Sequence, residues 1–108
     1  MSNQADEAQW YTVRCIFRSA DDDGALYEER VTLWYADDLD GAIALAEVEA
    51  AEYAEAHDVE HLGLAQAYWL PAPPATGAEV FSLVRESELD AEAYLDQFFD
   101  TGRERQAD

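Results

Sequence analysis

Residues 10–36 read WYTVRCIFRSADDDGALYEERVTLWYA, and the way this stretch folds decides the rest of the chain. In its first half Tyr11, Val13, Cys15 and Phe17 are apolar, and they alternate with the mixed set Trp10, Thr12, Arg14, Ile16 and Arg18. A period of two marks a strand with one buried face. Ser19 to Gly24 holds turn formers, three of them consecutive aspartates, and beyond it Val31, Leu33 and Tyr35 alternate with Arg30, Thr32 and Trp34. Turn chemistry between two such runs predicts a β-hairpin. Pairing Arg14 with Arg30 sets like charges opposite each other, whereas a shift by two sets Arg18 against Glu28 and favours that second register. Val31, Leu33 and Tyr35 then share the apolar face of the first strand.

Working outward, residues 36–58, ADDLDGAIALAEVEAAEYAEAHD, predict a helix capped by Asp38. Leu39, Ile43, Ala46, Ala50, Tyr53, Ala54 and His57 recur at helical spacing on one stripe. Glu52 and Glu55 point to water, and Leu45 and Val48 fall on their side, as chance exposure or as a partner contact. HLGLAQAYWL (61–70) and AEVFSLVRE (78–86) predict a third and a fourth strand around PAPPATG, whose prolines exclude regular pairing. Asp90 caps a second helix over AEAYLDQFFDT, with Tyr94, Leu95, Phe98 and Phe99 as its apolar stripe and Gly102 suited to the position after its end. The order is ββαββα. The expected fold is α+β, one antiparallel four-stranded sheet with two helices on one face, the packing of a circularly permuted ferredoxin-like fold. A single domain spans 10–102, with polar, flexible tails at 1–9 and 103–108.

At 108 residues the chain holds one core, and its 49% hydrophobic content with three tryptophans is too rich for a disordered chain. The formal net charge is −19, with 25 acids against six bases, and all six bases are arginine. Such a surface repels phosphate backbones and anionic headgroups, which excludes nucleic-acid and membrane partners. A DNA-mimicking role would need carboxylates spaced like phosphates. Alanine abundance without lysine also fits a genomic or high-salt bias, an origin of the charge independent of any partner. Cys15 is the lone cysteine, which fits a reducing compartment, and the amino terminus lacks a signal-like apolar region, so a cytoplasmic location is expected.

Several motifs carry less than they spell. His57, Asp58, Val59, Glu60 and His61 form H-x-x-E-H, the inverted zinc-protease pattern, but they fall where a helix gives way to a strand. Asp21, Asp22 and Asp23, like Asp37, Asp38 and Asp40, lack the spacing of a calcium loop and read as a turn and a helix cap. Cys15 alternates with core residues and reads as a buried thiol. No phosphate-binding glycine loop, nucleophile elbow or C-x-x-C is present, and neither a metal nor a cofactor is implied.

The remaining candidate site is the outer face of the hairpin. In the favoured register Trp10, Arg14, Arg18, Glu28, Arg30 and Trp34 lie together there, with Arg85 as a further candidate. Arginines among tryptophans suit a carboxylate, a phosphate group or an acidic protein surface. The same residues also describe a solvated sheet face neutralised by Glu28 and Glu29, or a homodimer face.

The segments WYTVRCIFR, YEERVTLWYADDLDGAIALAEVEAAEYA, LGLAQAY and EVFSLVRESELDAEAYLDQFFDTGRERQ, taken in order, resemble the bacterial family catalogued as domain of unknown function 4288. The resemblance covers nearly all of the expected domain and implies a bacterial, intracellular, single-domain protein; it carries over no catalytic residue. Two functions follow as expectations. The first is a non-enzymatic acidic interaction or accessory module binding a protein partner. The second is a binder of a small anionic ligand, or an enzyme, using the Arg and Trp face. In either case self-repulsion at −19 is screened by salt, so the melting temperature is expected to rise between about 0.01 and 0.5 M salt. A flat or falling melting curve across that range contradicts this.

Overall fold

The computed structural model describes residues 8–21 and 24–104; most of the expected tails, 1–7 of 1–9 and 105–108 of 103–108, and Asp22 and Asp23 of the acidic turn, lie outside them. Strand β1 (Gln9–Asp21), strand β2 (Gly24–Ala36), helix α1 (Leu39–His57), strand β3 (Glu60–Trp69) and helix α2 (Ala91–Phe98) follow in chain order. The three strands form one antiparallel sheet in the order β2-β1-β3.

The hairpin register differs by one residue from both that the charges allowed. Cys15 pairs with Arg30, Val13 with Thr32, and Arg18 with Tyr27 rather than with Glu28. Pairing continues to Asp21 and Gly24, with two residues between them, and a connection of fixed length dictates the register of the whole hairpin. Because side chains alternate, the slip turns β2 over. Glu28, Arg30, Thr32 and Trp34 join Tyr11, Val13, Cys15 and Phe17 on the face beneath α1, whereas Val31, Leu33 and Tyr35 go to the other face.

Helix α1 begins at Asp38, whose side chain accepts from the Gly41 amide at 2.7 Å, as its sequence predicts. It ends at Asp58, held left-handed at φ 54°, where the Asp58 amide bonds the Ala54 carbonyl. Ala42, Ala46 and Ala50 form its buried stripe and bring its backbone close over β1. With Tyr11, Val13, Cys15, Phe17 and Ala36 they make the core. Opposite β1, the register of β3 shifts between Cys15 and Phe17, at a bulge where Gly63 adopts φ 82°. The bulge turns His61 onto Phe17, their ring centroids 5.3 Å apart.

Two expectations about the C-terminal third are overturned. The sheet has three strands, not four: residues 78–86 adopt no strand. Once the Leu70 amide has bonded the Trp10 carbonyl, the proline segment leads away from the edge of β3. The Thr12 hydroxyl then donates to the Val80 carbonyl at 2.6 Å, and Phe81 settles against Tyr68, so the segment crosses the face of the sheet instead of extending its edge. Nor do two helices share one face. α1 covers one side, whereas α2 packs against no other element and buries no residue, which also removes the permuted ferredoxin-like arrangement. Asp90 caps α2 as expected, accepting from the Ala93 amide at 2.9 Å. The helix stops at Phe98, short of Gly102.

The molecule is correspondingly elongated. Its extents are 57 × 39 × 25 Å and its radius of gyration is 16.7 Å, against about 13 Å for a compact chain of this length. Among the described residues no helix is long and apolar enough to cross a membrane.

With so narrow a core, Phe17 carries an unusual share of the packing, being 1% exposed and the largest fully buried side chain. Phe17→Ala is expected to cost about 3–5 kcal/mol in denaturant unfolding, and Val48→Ala on the outer side of α1 under about 0.5 kcal/mol. Similar losses for the two variants would contradict this core.

Candidate functional site

The register divides the residues expected to share a site. Trp10, Arg14 and Arg18 stay on the face away from α1; Glu28, Arg30 and Trp34 lie on the face beneath it; Arg85 belongs to neither. The Arg and Trp face therefore does not form as one surface.

Beneath α1, Arg30 sits inside a polar cluster at the flank of the core. Its guanidinium forks onto Glu49, with Nη1 to Oε1 at 3.0 Å and Nη2 to Oε2 at 3.3 Å, and lies 3.7 Å from the centroid of the Tyr53 ring. The Tyr53 hydroxyl donates to Glu28 Oε1 at 2.6 Å. Cation, aromatic ring and two carboxylates thus satisfy one another, which a half-buried charge requires. Next along the strand, Trp34 Nε1 donates to Thr32 Oγ1 at 2.7 Å. α1 is too narrow to cover β2 with apolar side chains, and its own Glu49 and Tyr53 reach out to pair with the polar residues of that strand instead.

The hydrogen bond to Glu28 holds the Tyr53 phenol above its usual value of 10, with burial and the neighbouring carboxylates acting in the same direction against Arg30. Burial likewise raises the Cys15 thiol, with Glu47 and Glu49 adding to the effect against Arg30, and Cys15 lies buried in the core, where the sequence placed it.

On the opposite face Arg14 is also engaged. Nη1 pairs with Glu29 at 3.3 Å, Nε donates to Gln66 Oε1 at 3.2 Å, Nη2 donates to the same oxygen, and the guanidinium stacks 5.1 Å from the Phe81 centroid. Arg18 donates to the Tyr27 hydroxyl at 3.3 Å. Trp10 packs on Tyr35, its cross-strand partner, with centroids 4.9 Å apart. Trp10, Tyr35 and Trp69 line a shallow depression of about 350 Å³ with Pro71 and Pro73, and among the described residues no charged side chain borders it. Arg85 stays within the C-terminal segment, 4.8 Å from the Phe98 centroid, with Nη1 3.4 Å from the Tyr94 hydroxyl. No two of these arginines converge on one point, so the arrangement offers no anion pocket.

His57 is exposed at the end of α1 while His61 lies on β3, so H-x-x-E-H is not a helical pair. Of the partners that organise both arginine environments, Glu49, Gln66 and Phe81 carry no signal in the sequence and Tyr53 reads only as part of the α1 stripe, because their roles depend on the hairpin register. What this surface does present is apolar. Val31, Leu33 and Tyr35 stand exposed on β2 at 48, 45 and 57%, beside the arginines of β1. No family model, curated protein or solved structure matches the chain.

The Tyr53 bond gives a pH signature with a definite sign. A phenol whose native pKa lies above its unfolded value stabilises the fold fully below pH 10 and loses that contribution as pH climbs from 10 through the native value. Tyr53→Phe is expected to cost about 1 kcal/mol at pH 7 and to flatten the fall in stability above pH 10. An unchanged alkaline limb in urea titrations of the variant would contradict the Tyr53–Glu28 bond.

Proposed function

We propose that this chain is a non-catalytic interaction or accessory module of the bacterial cytoplasm that binds a protein partner through the open face of its sheet. One observation carries the reading: a domain at −19 leaves Val31, Leu33 and Tyr35 uncovered on a sheet face, and leaves a further apolar run uncovered beyond residue 79. Contiguous apolar surface on a strongly charged monomer marks a protein contact. Flanking arginines fit the rim of such a contact, since arginine and aromatic residues are enriched where proteins meet. The resemblance to domain of unknown function 4288 agrees with a bacterial, intracellular setting. The alternative of a small anionic ligand loses its support once Arg14 and Arg30 are committed to Glu29 and Glu49 on opposite faces.

Tagged wild-type chain is expected to retain a polypeptide in stoichiometric amount, either a second copy or another protein, and Leu33→Asp to lower retention at least tenfold. The reading falls if nothing is retained, or if a small anion quenches tryptophan fluorescence saturably in wild type and not in Arg14→Ala.

A further inference from the structure

Residues 79–100 form an arm that the body of the molecule leaves unused. Val84 is 89% exposed and Phe99 69%. Helix α2 has the apolar stripe Tyr94, Leu95 and Phe98 but packs on no other element among the described residues, its Phe98 ring meeting Arg85 of its own arm. A helix of eight residues is too short to hold its shape in water without a surface to lie on. The arm touches the sheet at its start, where Val80 and Phe81 meet Thr12, Arg14 and Tyr68 at one end of the β1–β3 half of the open face. The β2 half, with Val31, Leu33 and Tyr35, stays bare.

We propose that the occupant of this bare half is the arm of a second copy of the chain, exchanged reciprocally about a two-fold axis; this rests on the reading of the chain as an interaction module. The two surfaces match in chemistry. The strip on β2 is apolar and faces Trp10, Thr12 and Arg14 on β1, with Arg14 opposite Val31. The arm is apolar and carries seven acids, Glu79 to Asp100, against the single base Arg85. At 100° per residue Glu92 and Asp96 border one side of the Leu95 and Phe98 stripe, so a carboxylate-edged ridge meets a strip bordered by Arg14, whose guanidinium is shared with Glu29. The arm is also about the size of one side of a stable interface, roughly 20–30 residues. Its helix contacts no other element among the described residues, which leaves it in a position to dock in trans. Exchange of an identical element closes the assembly at two copies, each contributing one arm and one groove.

Light scattering after size exclusion is expected to give twice the 12.1 kDa chain mass for wild type. Leu33→Asp, which spoils the groove, and Phe98→Asp, which spoils the arm, should each weaken the dimer by about 30-fold or more, as loss of a buried anchor does. Both positions are exposed in the single chain, so circular dichroism should be unchanged. Mixing the two variants restores one intact arm-to-groove contact, so a heterodimer should form at concentrations where each variant alone is monomeric. A dimer indifferent to Phe98→Asp means face-to-face pairing, and one indifferent to Leu33→Asp means arm-to-arm pairing; either overturns the exchange. So does failure of the mixture to complement, or a monomeric wild type at every concentration. A monomer that still retains a different protein through Leu33 overturns the exchange alone and leaves the interaction reading standing.

Discussion

The pairing of Cys15 with Arg30 is the constraint on which the rest of the structure depends. Strand pairing has a period of two, so a single step in register decides which half of β2 meets the helix. Here the step places arginine and glutamate beneath α1 and valine, leucine and tyrosine in the open. An apolar strand facing inward would have made a thicker core and an outer face of arginine, glutamate and tryptophan. The observed register does the reverse. It makes the flank of the core polar, satisfied by Glu49 and Tyr53, and gives the outer face an apolar strip edged by arginine.

The narrow core follows from the same arrangement. One helix with a stripe of three alanines covers the middle strand, and Phe17 and Val13 fill most of the space beneath it. The charge of −19 opposes compaction of so small a core. Stabilisation from contacts outside the single chain would offset that, which is consistent with the uncovered arm and groove. In the proposed reading function and stability reside in the same surface, with the arginines as its charged rim.

Elements governed by local chemistry were legible in the sequence. The alternation of β1, the Asp38 and Asp90 caps and the approximate extent of β3 all depend on residues close in the chain and were found where local chemistry put them, whereas the buried stripe of α1 is Ala42, Ala46 and Ala50, and Leu39 and His57 of the expected stripe are exposed. Features set by pairing were not. Charge pairing at Arg18 and Glu28 was too weak a term to fix register against a connection that leaves only two residues between the strands. AEVFSLVRE has strand composition, but composition does not supply a partner edge, and a hydroxyl at Thr12 captured its backbone on the sheet face. The candidate site was misassembled for the same reason. Trp10, Arg14 and Arg18 do share a face, and Arg30 and Trp34 are on the other.

Cross-strand nuclear Overhauser contacts along the hairpin test this account most directly. The account predicts contacts of Cys15 with Arg30 and of Val13 with Thr32. Contacts of Cys15 with Val31 and of Val13 with Leu33 would return the apolar residues of β2 to the core and contradict it.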